Sequence, residues 1–116
     1  MIESYVIEDE NKEITDFTSF YSLPSSILKH PQYDTLNVAY SFYNVPNKYT
    51  MEELTRDALI CAKNEGYDVF NCLNVQENEA MMKELLFGVG DGNLHYYLYN
   101  WRIHKVEPKD VGIVLV

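Results

Sequence analysis

The 116-residue sequence predicts a mixed α/β (α+β) fold, a mostly antiparallel sheet with helices covering at least one face. Three observations predict it. β-branched and aromatic residues cluster near the start of the chain and again ahead of Pro46. Two stretches of helical periodicity follow, the first of them with a capping signal. Each is succeeded by another apolar, strand-like run, so hairpins cannot join all the strands.

Taken in order, "ESYVIED" (residues 3–9) alternates and reads as a strand, broken by a polar turn around Asn11 and Lys12. "TDFTSFYSL" (15–23) reads as a second strand hairpinned to the first. Pro24 ends it, and "SSILKH" (25–30) suggests a short helical turn that stops before Pro31. "TLNVAYSFYNV" (35–45) is a long third strand closed by Pro46. "TMEELTRDALICAKNEG" (50–66) carries the clearest local signal. Thr50 and Glu53 have capping-box spacing, and Leu54, Ala58, Cys61 and Ala62 form one apolar stripe. Gly66 follows as a positive-φ terminator. "DVFNCLNV" (68–75) is a fourth strand. "ENEAMMKELLFG" (77–88) is a second helix, with Met81, Met82, Leu85 and Leu86 inward and Gly88 as its stop. "LHYYLYNW" (94–101) and "VGIVLV" (111–116) read as the fifth and sixth strands.

The totals fit one domain with a sizeable core: 47% of residues are hydrophobic. A net charge of −9, spread along the chain, argues against a nucleic-acid partner and suits a cationic one. Cys61 and Cys72 lack C-x-x-C spacing and read as reduced core thiols. His30, His95 and His104 have no ligand-like spacing, so no metal site is expected. No apolar run is long enough to span a membrane, and the acidic start does not resemble a targeting peptide. Cytoplasmic residence is the expectation. Most of the ten tyrosines fall in predicted strands, where packing explains them.

The stretch "LLFGVGDGNLHYYLYNW" (85–101) sets three glycines around one aspartate. A phosphate loop needs its glycines immediately before a helix, whose free amides hold the anion. Here they follow a helix and precede a predicted strand, no Lys-Ser or Lys-Thr pair follows, and Asp91 would repel a phosphate. A nucleotide site is excluded. A plain turn remains, but three alternating glycines exceed what one helix stop needs, and they would let another backbone approach closely.

"FGVGDGN" followed by "YYLYNW" resembles the signature near the C-terminus of the glycylpeptide N-tetradecanoyltransferases, the N-myristoyltransferases. The family pattern reads Lys-Phe-Gly-aliphatic-Gly-Asp-Gly; Phe87 to Gly92 match it, and Leu86 stands where the lysine belongs. "FYSLPSS", "AYSFYNV", "GYDVFN" and the closing "VGIVLV" also match in family order, so the likeness covers essentially the whole chain.

The resemblance implies an acetyltransferase-like half-domain contributing the peptide groove of an enzyme that moves myristate from myristoyl-CoA to the amine of an N-terminal glycine. The acyl-CoA-binding half of the family has no counterpart here. The chain would therefore bind no cofactor itself and be inactive alone. It also implies that the general base is the terminal α-carboxylate, here that of Val116, and that Ser25, Tyr40, Asp91, Gly92, Leu94 and Leu115 contact the peptide. Substrates with lysine downstream of the glycine would suit the acidic balance. In water the amine's pKa exceeds that of a terminal carboxylate by about 4 units, so proton transfer runs uphill by roughly 5–6 kcal/mol. Burial raises the one and lowers the other, which favours a chain end set inside a groove. By its local sequence Ser25 is equally a helix N-cap after Pro24, and Tyr40 an ordinary packing residue. A non-catalytic peptide-binding or self-associating domain is the alternative.

Overall fold

The structure, a computed structural model, describes residues 1–115. Val116 lies outside the described residues. A four-stranded sheet runs in the order β1 (Ile2–Glu8), β2 (Ile14–Ser22), β5 (Val38–Val45) and β6 (Val69–Asn71). The first two junctions are antiparallel, and β5 pairs with β6 in parallel. A parallel pair needs a crossover, and α1 (Met51–Asn64) supplies it. α2 (Asn78–Glu84) packs against α1. The expected mixed, mostly antiparallel sheet with two helices is present.

The core lies between the sheet and α1. Phe20 is fully buried beside Ala39 and Ala62. Its ring meets Tyr5 of β1, Tyr67 after α1 and Phe70 of β6, with centroids 5.8, 5.7 and 5.7 Å away. Such packed aromatic pairs add to the burial term and fix relative orientation.

α1 starts and stops as its sequence predicts. Thr50 Oγ1 accepts from the Glu53 amide at 3.2 Å, and Glu53 Oε2 accepts from the Thr50 amide at 2.9 Å. At the other end Gly66 takes φ 88°, while Gly66 and Tyr67 donate to Lys63 O and Ala62 O. That paired bonding is a Schellman stop.

The start of α1 is also held from below. Asp16, 1% exposed, accepts the amides of Asn47, Lys48 and Tyr49 at 2.7, 3.2 and 3.0 Å. Burial alone would raise its pKa, but the amide of Asn47, the Thr15 hydroxyl and the amides of Tyr49 and Lys48 outweigh it and bring the carboxyl from 3.8 down to about 2.

Five expectations are corrected. "SSILKH" forms no helical turn: β3 (Ser25–Ser26) pairs antiparallel with β4 (Thr35–Leu36). The intervening loop closes through Ile27 N–H to Asp34 O, and His30 Nδ1 accepts the amides of Gln32 and Tyr33. The long third strand is split at Asn37, whose amide turns away to the Asp68 carboxylate. The fourth strand keeps only Val69–Asn71. α2 ends at Glu84, before Gly88, because Leu86 itself adopts φ 59° and completes a Schellman stop with Phe87. Leu86 is therefore 89% exposed instead of inward. Finally, residues 94–101 and 111–115 form no strands, since neither pairs with an edge of the sheet. β-propensity reports fit to a pleated, half-buried surface and cannot supply a missing partner.

Two outcomes follow from these caps and from the buried carboxylate. A left-handed leucine costs roughly 1–2 kcal/mol, part of which glycine's unfolded-state entropy takes back. Leu86→Gly should stabilise the fold by about 0.5–1 kcal/mol and Gly66→Ala should destabilise it by about 1 kcal/mol, read from urea titrations. Asp16 protonates more readily in the unfolded chain, so its contribution is whole above about pH 4 and is lost as pH falls toward about 2. Asp16→Asn should lower the melting temperature at neutral pH and flatten its fall across that acid window.

Candidate functional site

The side of the sheet opposite α1 carries Tyr21, Tyr40 and Phe42. Tyr21 and Tyr40 face each other across the β2–β5 pair and stack, with centroids 5.3 Å apart and planes 11° apart. Phe42 meets Tyr21 edge-on at 5.9 Å. The pairing then shifts: Thr18 lies opposite Asn44 and Phe20 opposite Ser41. One residue of β2, Ser19, therefore faces two of β5, Phe42 and Tyr43. This is a β-bulge, which interrupts the ladder and re-aims side chains. Ser19 Oγ serves the interrupted backbone, accepting from Tyr43 N–H at 3.0 Å and donating to Tyr43 O at 2.8 Å. Beyond the bulge, the Phe42 and Tyr43 rings lie 4.5 Å apart.

The chain's final described residues cross this face. A 3₁₀ turn at Pro108–Asp110 leads into them. Val114 is buried, and its N–H donates to Tyr43 Oη at 3.2 Å. Tyr21 Oη donates to Leu115 O at 3.4 Å, and Tyr96 Oη donates to Ile113 O at 2.9 Å. Burial, then the neighbouring Tyr40 and Tyr96, push the Tyr21 phenol above 10.0, so it stays protonated and able to donate.

Of the residues predicted for the site, the structure joins Tyr40 to Leu115 through Tyr21. Ser25 is exposed in β3, and no helix follows it, so its alternative as an N-cap is excluded. Asp91, Gly92 and Leu94 lie in an exposed stretch. Among the described residues, no hydrogen bond or ring contact ties Ser25, Asp91, Gly92 or Leu94 to the tyrosine group. Gly88, Gly90 and Gly92 have open space where a side chain would begin, with nothing within 4 Å. The close backbone approach expected there is thus not made by the described chain.

Tyr21, Tyr43 and Tyr96 were missed by the sequence reading. The alternation of a regular strand sets Tyr43 on the side away from Tyr40 and Phe42, and only the bulge brings it round. A cleft of about 390 Å³ lies elsewhere, between Pro46, Met51, Glu77 and Gly112. It is open and touches none of the predicted site residues. Cys61 and Cys72 are free and half-buried. Burial first, then Asp57 and Glu65, raises the Cys61 thiol; burial raises that of Cys72 to about 11, so neither is a poised nucleophile.

Comparison with known proteins places this geometry. Residues 1–114 match the family model described as "Myristoyl-CoA:protein N-myristoyltransferase, C-terminal domain". Glycylpeptide N-tetradecanoyltransferase 1 of Arabidopsis thaliana is 51% identical over 100% of this chain and 27% of its own length. Glycylpeptide N-tetradecanoyltransferase 2 of Bos taurus is 49% identical over 99% of this chain and 23% of its own. The chain thus spans about a quarter of the curated relatives it matches. The crystal structure of Saccharomyces cerevisiae N-myristoyltransferase with bound myristoyl-CoA superposes with a TM-score of 0.73 at 39% identity, over 78% of this chain and 26% of that one. A Trypanosoma brucei acetyltransferase shares the fold at TM-score 0.60 and 13% identity, over 84% of this chain and 69% of that one. The half-domain is therefore acetyltransferase-like, and this chain belongs to the N-myristoyltransferase C-terminal domain family.

Proposed function

We propose that this chain is the peptide-binding part of an enzyme that transfers myristate from myristoyl-CoA to the α-amine of an N-terminal glycine. The observation that carries the proposal is 51% identity to a glycylpeptide N-tetradecanoyltransferase, sustained over the full chain. In the reaction the amine nitrogen attacks the thioester carbonyl, the C–S bond breaks, and coenzyme A leaves as the thiol. The amine's proton passes to a base, and the α-carboxylate of Val116 fills that role. Val116 follows directly on Leu115, whose carbonyl meets Tyr21 on the open face of the sheet. Myristoyl-CoA is the co-substrate of the whole enzyme, held by parts beyond this chain.

The peptide lies along the same face, against Tyr40, Leu115 and the glycine stretch, with Ser25, Asp91 and Leu94 at its border. Support comes from the empty space beside Gly88, Gly90 and Gly92, where a bare backbone admits a second chain. A net charge of −9 favours peptides with basic residues after the glycine.

Two measurements on the full-length enzyme test this. Adding one residue after Val116 converts the base into an amide and should lower kcat by about 10²–10⁴-fold, the usual worth of a positioned base; undiminished kcat would refute the assignment. Gly92→Ala meets nothing in the described chain, so the melting temperature should hold while KM for the peptide rises several-fold. An unchanged KM would remove Gly92 from the groove.

A further inference from the structure

Residues 111–115 have the composition of a strand, yet side chains and not a ladder hold their peptide groups. Ile113 O, Val114 N–H and Leu115 O are met in turn by Tyr96, Tyr43 and Tyr21, at 2.9, 3.2 and 3.4 Å. The three phenols come from separate parts of the chain: residues 94–101, β5 and β2. A regular ladder repeats every two residues, so a two-residue slip restores the same pattern. One backbone group on each of three successive residues, met by three individually placed rings, has no such repeat. The buried Val114 side chain between them adds a second register mark.

We infer that Tyr21, Tyr43 and Tyr96 are positioning residues whose hydroxyls fix the register at which residues 113–115 cross the open face of the sheet, and so where the next residue stands. The inference rests on the functional reading above, in which that next residue carries the base. A base acts only within hydrogen-bond reach of the proton it takes. A displacement of about 1 Å can cost on the order of 10²-fold in rate. The bulge belongs to the device, since without it the Tyr43 hydroxyl would point to the α1 side of the sheet. Two of the rings are braced, Tyr21 on Tyr40 and Tyr43 on Phe42, which leaves those two hydroxyls little freedom.

The test is Tyr43→Phe and Tyr96→Phe, singly and combined, in the full-length enzyme. The rings remain, so the packing survives and only the hydroxyls are lost. In the double variant, kcat should fall about tenfold or more while KM for peptide and for myristoyl-CoA stay within about twofold. Hydrogen exchange at the Val114 amide should quicken. Unchanged exchange at Val114 overturns the clamp. Quickened exchange with unchanged kcat overturns its positioning role. The enzyme extended by one residue separates this from the underlying reading. If that extension leaves turnover intact, the terminal base falls, and the catalytic half of the inference with it, while Val114 exchange still decides whether the clamp exists.

Discussion

Phe20 has no contact with solvent, and its ring meets aromatic rings from three other parts of the fold: β1, the turn after α1, and β6. β2 is flanked by β1 and β5, and its neighbouring side chains point to opposite faces. Committing Phe20 to the α1 side therefore commits Tyr21 to the other. A one-residue slip of β2 would exchange the two, putting a phenol in the core and a phenyl ring on the open face. The core and the candidate site are thus two readings of one register.

The same logic shows what was legible in the sequence. α1 was read almost to the residue because its signals are local: a capping box at Thr50 and Glu53, an apolar stripe, and Gly66. The β1–β2 hairpin was equally plain. What failed was long-range. Residues 94–101 have every compositional mark of a strand, but Tyr97 and Tyr99 face solvent because no edge of the sheet comes to meet them. Leu86 was assigned inward by periodicity, and its left-handed φ could not be foreseen in a residue that rarely adopts one. The break at Asn37 depends on Asp68, 31 residues away, and no window of local pattern contains both.

The candidate site was legible in a different way. Resemblance singled out Tyr40 and Leu115, and the structure links them through a residue that the resemblance did not name. Tyr21 and Tyr43 looked like packing because regular alternation gave them nothing to do together. The extra residue in β5 changes that, and its only sequence trace is Ser19, a small hydroxyl residue buried amid larger ones. Val116, the proposed base, lies outside the described residues.

One consequence attaches to Asp16. The stretch from Asn47 to Tyr49, just ahead of a helix, presents the kind of backbone donors that bind anions in many nucleotide-handling proteins. In this chain all three are already engaged by a carboxylate from the neighbouring strand. An incoming pyrophosphate would have to evict a built-in rival of the same charge.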